Sequence, residues 1–421
     1  MVPSGLKAIK AQGGITFAQE QNSASYDAMP QSAIDADVVD FILTPESIPK
    51  QLMILNERFK QNPGQNQHNS DQKQEEDFKK ILSLLRIRRG VDFTYYKQPT
   101  IRRRISRRIA LSLHGNVSDY LIFLKENKPE MDILYQDLLI PVTEFFRDPG
   151  IFESVREKLL PELFKNKANY EPVRVWIAGC STGEEAYSIL MSLHEYLGDK
   201  ASIFKIQVFA TDISEAAIAK ARTGIYKTTE VDGLSVERLQ KFFTKTNGGF
   251  QINKVIRDTC IFALHNYLKD PPFANIDLVS CRNSLIYMDP YLQKNALNTF
   301  HYSLNDHGFL LLGKSETAGQ VSGLFNTFDK NNKIYTRNPV RGRYSKVIAD
   351  RKQEFFKNSN YKVGNIDGPK DDFQKNADDV LLSRYVPPRR NREQRNGHRT
   401  ISWIYRNVAG TYNGEAKFKC F

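Results

Sequence analysis

Val175-Trp176-Ile177-Ala178-Gly179-Cys180-Ser181-Thr182-Gly183-Glu184-Glu185 reads as a strand, a two-glycine turn and the opening of a helix. The apolar run starts at Val173 and predicts a strand buried on both faces; the helix then extends over Glu184–Leu197. Outward from this unit the same rhythm repeats. Phe204–Ala210 predicts a second strand ending at Thr211-Asp212, with a helix over Glu215–Arg222. Ile276–Val279 marks a third strand within Phe273–Ser280, Tyr291–Leu304 a helix, and Gly308–Gly313 a further strand. Strands alternating with helices in units of ~30 residues predict a doubly wound, Rossmann-like α/β domain. Residues 241–264 interrupt the pattern around Asn247-Gly248-Gly249 and predict a small β insertion of antiparallel strands.

Two chemistries suit the turn. Gly179-Cys180-Ser181-Thr182-Gly183 matches the nucleophile-elbow pattern, with Ser181 as a hydrolase nucleophile. That reading needs a histidine late in the chain, and His301 and His307 carry no motif. The same turn suits a nucleotide, whose backbone approach needs the glycines. Asp212, at the end of the next strand, is placed to accept hydrogen bonds from ribose hydroxyls. Glu184 and Glu185 would repel a pyrophosphate at the helix start. A cofactor with a ribose, a positive charge and no phosphate fits both observations: S-adenosylmethionine.

Ahead of this domain, from Asp77 to about Phe146, the apolar spacing is helical and predicts a small all-α domain. Pro99 opens one helix, in which Ile101, Ile105, Ile109 and Leu113 form a stripe. Arg102, Arg103, Arg104, Arg107 and Arg108 fall off the stripe and are expected to face mostly solvent, ready for an anionic partner. The chain of 421 residues carries 60 Lys and Arg against 48 acids, a net +12. Eleven of the basic residues lie between Lys79 and Arg108 beside one acid, Asp92, and nine more lie from Arg384 to Phe421. Charge gathered on one helix points to an acidic helical protein face, with no nucleic acid and no direct membrane insertion expected. No run approaches the ~18 apolar residues of a spanning helix. Cys180, Cys260, Cys281 and Cys420 show no metal or disulfide spacing, so reduced thiols in a cytoplasmic protein are expected.

Five ordered motifs carry a resemblance over residues 77–337. They are Val142-Thr143-Glu144-Phe145-Phe146-Arg147-Asp148, Ala178–Ser188, Phe209-Ala210-Thr211-Asp212-Ile213, Ala221–Tyr226, and Cys281-Arg282-Asn283-Ser284-Leu285-Ile286-Tyr287-Met288. Together they resemble the CheR family of chemotaxis protein-glutamate O-methyltransferases. The resemblance implies an all-α domain over 77–145 and a methyltransferase domain over 146–340 that uses S-adenosyl-L-methionine. It implies cofactor binding through Thr143, Arg147, Glu185, Asp212, Asn266, Tyr267, Arg282 and Asn283, with no metal; of the two catalytic residues, Arg147 would hold the carboxylate of cofactor or substrate and Tyr287 would lie near the transferring methyl. It further implies that the basic helix faces the cytoplasmic helices of chemoreceptors, whose glutamates become methyl esters. Pro141 stands where the family often has Asn or Ser, which removes one side-chain contact. The insertion loop is short, which argues against a receptor-tail peptide there. The alternative from the residues alone is a catalytically inactive binding or scaffold protein that uses the basic helix.

Residues 1–55 hold Gly13-Gly14 before a strand-like Ile15–Ala18 and a second strand over Val38–Leu43, too little to bury a core alone. Residues 5–52 resemble the C-terminal end of a CheB-type methylesterase, whose catalytic triad precedes this piece; a remnant without esterase activity is implied. Residues 56–76 are rich in Gln and Asn and predict a polar linker. Residues 341–388 read as linker and helix. Asp371–Pro388 resembles the entry to a PAS-like domain in longer esterase–methyltransferase hybrids. Residues 389–421 lack the strand pattern that should follow, which predicts a shifted reading frame near Pro388, to be tested by sequencing the gene there.

Overall fold

A computed structural model describes residues 2–60, 68–112, 114–140, 142–165, 167–168, 171–321 and 323–340. The expectations for Leu113, Pro141 and residues 341–421 lie outside the described residues.

The chain opens with α1 (Val2–Ala11), β1 (Phe17–Gln19), α2 (Ala28–Asp35), β2 (Phe41–Leu43) and α3 (Ser47–Lys60). β1 and β2 pair in parallel, Phe17 opposite Phe41, so the crossover through α2 makes a miniature βαβ unit. Thr16 ties this unit together: its hydroxyl donates to the Val38 carbonyl at 2.7 Å, and its amide donates to Asp40 at 3.0 Å. The polar stretch 56–76 is not simply a linker, because α3 runs to Lys60 and α4 begins at His68. Gln, Glu and Lys are good helix formers, so low hydropathy does not by itself exclude a helix.

Four helices follow in the all-α region: α4 (His68–Arg89), α5 (Gln98–Leu111), α6 (Val117–Glu126) and α7 (Lys128–Leu139). Pro99 lies in the first turn of α5. Ile101, Ile105 and Ile109 are buried against Ile81, Leu85, Tyr120, Leu124 and Leu134, as the stripe predicts. Each such side chain contributes roughly 1.5–3 kcal/mol on burial. Asn127 caps α7 by accepting from the Glu130 amide, and the chain leaves that helix through Ile140 in a left-handed conformation.

β3 (Val173–Ala178) lies inside a seven-stranded sheet with β4 (Ile206–Asp212), β8 (Cys260–Leu264), β9 (Ile276–Cys281), β10 (Leu304–Leu312), β11 (Phe325–Asp329) and β12 (Ile334–Arg337). The strand order is 11-12-10-9-3-4-8, and only β12 opposes its neighbours. β5 (Ile225–Tyr226), β6 (Phe243–Thr246) and β7 (Gly249–Ile252) form a separate antiparallel sheet. The β insertion therefore stops at Ile252. Cys260–Leu264, expected within it, pairs in parallel with β4 as the edge of the main sheet. A five-residue apolar run cannot show which strand it will pair with; the helix Lys254–Thr259 carries the chain from the small sheet back to the large one.

From β3 the chain builds outward through β4 to β8, then returns to the other side of β3 as β9. The carboxyl ends of β3 and β9 thus diverge at the point where the winding reverses, which opens a crevice there. Trp176, fully buried on β3, donates its indole N–H to Thr211 Oγ1 at 2.9 Å and locks β3 to β4 just below that crevice.

Candidate functional site

Two adjoining lobes, open to solvent, occupy the crevice. Gly179, Asp212, Ser284 and Tyr287 line both. The first lobe also takes Thr143, Arg147, Glu185, Arg282 and Asn283; the second takes Asn266 and Tyr267. Every residue that the sequence assigned to cofactor and methyl transfer therefore meets in one place.

The turn after β3 is built around Asp212. Gly179 and Cys180 donate their amides to the Thr211 carbonyl at 2.8 and 2.9 Å. Asp212 accepts from the Ser181 amide at 2.8 Å and from the Ser214 amide at 2.9 Å, one on each oxygen. Burial pushes its pKa up, and these backbone donors pull it back. Ser181 sits at φ +49°, a conformation that costs a serine roughly 1–2 kcal/mol and aims its amide at Asp212. Gly183 has φ +99°, and a Cβ there would meet the Ala221 side chain at 2.9 Å; only glycine fits.

The two acids of the helix start separate. Glu185 lines the first lobe, accepts from the Ser280 hydroxyl at 2.6 Å and lies 3.6 Å from Arg282 Nη1. Glu184 lines neither lobe. It is buried with both oxygens 2.7–2.8 Å from the Thr182 hydroxyl, and burial raises its pKa to about 7. The sequence treated them as a pair; the helical step of ~100° sends one to the cavity and the other behind the turn.

Arg282 is completely buried. Its Nη2 donates to the Arg147 carbonyl at 2.6 Å and to Asp148 at 3.0 Å, while Nε and Nη1 have no hydrogen-bond partner. Ser181 Oγ is likewise buried and unpartnered. Half-buried Arg147 donates to the Val142 carbonyl at 3.0 Å. Tyr267 gives or takes a hydrogen bond with Ser284 at 2.7 Å, and Asn266 closes a turn by accepting from the Leu268 amide at 3.0 Å. Burial raises the Tyr287 pKa, against which Arg147 and Arg104 act.

Glu316 went unnoticed in the sequence, which has no signal for a carboxylate that holds backbone. Its oxygens accept from the Gly313, Asn283 and Ile286 amides at 2.7, 2.9 and 3.2 Å. It thereby fixes the loop that carries Arg282, Asn283 and Tyr287. His301 and His307 line neither lobe, and His265 lines the second, where its Nε2 bonds to the Pro271 carbonyl at 3.1 Å.

The five arginines of α5 line neither lobe, and the expectation that they face mostly solvent needs correction. Arg104 and Arg107 are buried. Arg107 pairs with Asp40 and with Asp137 at 3.0 Å; Arg104 donates to the carbonyls of Asp137 and Ala11. Arg108 forms a two-bond pair with Glu130 at 3.0 and 2.6 Å, and Arg103 donates to Gln12 at 3.2 Å. Arg102 remains largely exposed, paired with Glu75 at 2.5 Å. Off-stripe spacing tells which residues miss the helical core, but not what else packs on that side.

The donor set fits S-adenosylmethionine: an acid pinned at the second strand end, orphaned buried polar atoms on Ser181 and Arg282, and acids where a phosphate would need donors. Sheet order and site together define a Rossmann-like S-adenosylmethionine-dependent methyltransferase. The chain belongs to the CheR family of chemotaxis methyltransferases. The profile of the CheR methyltransferase SAM-binding domain matches residues 141–334, and that of its all-alpha domain matches 76–139. The CheB methylesterase profile matches residues 3–52. Chemotaxis protein methyltransferase 2 of Vibrio cholerae is 30% identical over 255 residues, 59% of this chain and 88% of that protein. The chemotaxis protein methyltransferase of Borreliella burgdorferi is 30% identical over 249 residues, 58% of this chain and 88% of that one. A 104.1 kDa protein in the hypE 3′ region of Rhodobacter capsulatus is 34% identical over 351 residues, 79% of this chain. The chain spans 37% of that relative's length. Among the described residues, no helix is long and apolar enough to cross a membrane.

Proposed function

We propose that this chain transfers methyl groups from S-adenosylmethionine to glutamate side chains in the cytoplasmic helices of chemoreceptors, forming methyl esters. One observation carries the reading: Asp212, Glu185, Arg147 and Tyr287 converge on a single cavity beside the all-α region. Lys97, at the start of α5, donates its amide to the Tyr287 carbonyl at 2.8 Å, so the arginine helix is tied to the rim of that cavity.

When bound, the cofactor supplies a methyl group activated on a positive sulfonium. Asp212 would hold the ribose hydroxyls, its carboxylate kept in place by the two amides it already binds. Glu185 would face the positive end of the cofactor, and Thr143, Asn266, Tyr267, Arg282 and Asn283 would complete the binding wall. Arg147 would orient a carboxylate, either the cofactor's or the substrate's. Tyr287 would close the space beside the reacting carbon.

A substrate glutamate with a pKa of ~4.3 is already ionised at neutral pH, so no general base is required. Alignment and exclusion of water remain, and orientation of this kind is worth up to ~7–11 kcal/mol. An Arg147 that gripped the substrate too tightly would stabilise the ground state and slow transfer. Its attachment to the Val142 carbonyl restrains it at the rim instead.

The test is transfer of tritiated methyl from S-adenosylmethionine to a panel of purified chemoreceptor cytoplasmic fragments. Radiolabel released as methanol by mild base is expected. Intact cofactor binding with no base-labile label on any fragment would sink the glutamate reading.

A further inference from the structure

We infer that residues 2–60 act as a built-in ligand of the arginine face of α5, occupying the surface on which an acidic helical partner would dock. This inference rests on the chemoreceptor substrate proposed above and on the docking role that the resemblance implies for that helix. Three contacts place the segment there. The Ala11 carbonyl accepts from Arg104, the Gly14 carbonyl accepts from Arg107 at 3.1 Å, and the Asp40 carboxylate pairs with Arg107. Gln12 adds a contact to Arg103.

One carboxylate and two backbone carbonyls thus take the guanidinium donors to which an acidic helix would bring side-chain carboxylates. Asp40 is itself prepared for the role. Thr16 donates to it through its amide at 3.0 Å, and Lys10 lies 3.5 Å away. Arg107 and these donors hold its carboxyl below the usual carboxylate range despite burial. The segment also reaches the catalytic side of the molecule, where Lys227 donates to the Asp35 carbonyl at 2.5 Å next to β5. It therefore straps the docking helix to the small three-stranded sheet. Lys97, just before α5, donates its amide to the Tyr287 carbonyl at 2.8 Å, so the helix that the segment covers starts at the cavity rim.

The consequence is competition. An acidic partner must displace Asp40 and the two carbonyls before it can reach Arg104 and Arg107, and the chain is self-restrained until it does.

Two measurements on the full chain test this. In the first, hydrogen exchange at the amides of Thr16 and Phe41 is followed in the wild type while poly-L-glutamate is added, with binding read independently by calorimetry. At saturation, at least tenfold faster exchange at both amides is expected. Unchanged protection with poly-L-glutamate bound overturns the inference. In the second, Asp40→Ala is compared with Asp40→Glu for methyl transfer to the chemoreceptor fragments. Asp40→Ala is expected to raise kcat/KM three- to tenfold with unchanged S-adenosylmethionine affinity, and Asp40→Glu to behave as wild type. Equal or lower transfer by a folded Asp40→Ala overturns it. If neither protein methylates any fragment, the glutamate reading has failed, and the exchange experiment still decides whether the segment is displaceable. It also decides if Asp40→Ala does not fold.

Discussion

The crevice at the strand ends and the arginine face of α5 are both dense in charge, yet they use it in opposite ways. In the crevice, Asp212 is held only by backbone amides, and Arg282 and Ser181 keep buried polar atoms without partners. On α5, Arg107 and Arg108 are matched by Asp40, Asp137 and Glu130 from the same chain. Buried polar groups left unsatisfied cost stability, and those of Arg282 and Ser181 sit where a bound cofactor would satisfy them, whereas on α5 Arg104 Nε alone among the arginine atoms is left so. The contrast teaches that charge counted along a chain is not charge available to a partner. One region is prepared for a ligand from outside; the other has been supplied with one from inside.

The largest expected effect attacks the satisfied region. Arg107→Ala leaves Asp40 and Asp137 facing each other without their shared cation, and should cost about 3–5 kcal/mol in urea unfolding. A loss below ~1 kcal/mol, the scale of an exposed pair, would mean that the arginine face is not an internally balanced cluster. Asp212→Ala attacks the unsatisfied region. It should weaken S-adenosylmethionine binding about 100-fold by calorimetry, close to ~2.7 kcal/mol, and lower the melting temperature because the Ser181 and Ser214 amides lose their acceptor. Equal affinity would remove the crevice from consideration as the cofactor site.

Glu184 sharpens the comparison because it is buried beside the crevice yet does not line it. Burial, helped by Glu230, carries its pKa to about 7, while Thr182 and Lys220 favour the charged form. The folded state then holds a proton that the unfolded state releases near the usual glutamate value. Stability should therefore fall as pH rises from about 4.5 to 7, by on the order of 2 kcal/mol. Glu184→Gln should flatten that fall in denaturation curves taken across the window. The smallest effect belongs to Arg102→Ala. Its pair with Glu75 is exposed, and its stacking on the Phe78 ring at 4.1 Å adds little, so under ~1 kcal/mol is expected. A larger loss would place Arg102 with the buried arginines after all.

Much of this was readable along the chain. Periodicity located β3, β4, β9 and their helices to within a few residues, because buried strands and amphipathic helices write their period into local sequence. The crevice residues lie in short motifs at strand ends, where the parallel fold gathers such ends together. Cys260–Leu264 was misplaced because pairing with β4 is a long-range choice that a short apolar run does not record. Glu316 was missed because its work is to accept backbone amides, which any acid in a loop could do.

The sequence by itself determined the class of fold, the cofactor chemistry of the β3 turn and the apolar stripe of α5, since each is set by neighbours within a turn or two. Only the tertiary structure decided which charges stay free. Arg104 and Arg107 look as solvent-facing as Arg102 on a helical wheel, but Ala11, Gly14 and Asp40, far away in sequence, come to rest against them. Electrostatic pairing acts through space, and folding sets which charges become neighbours.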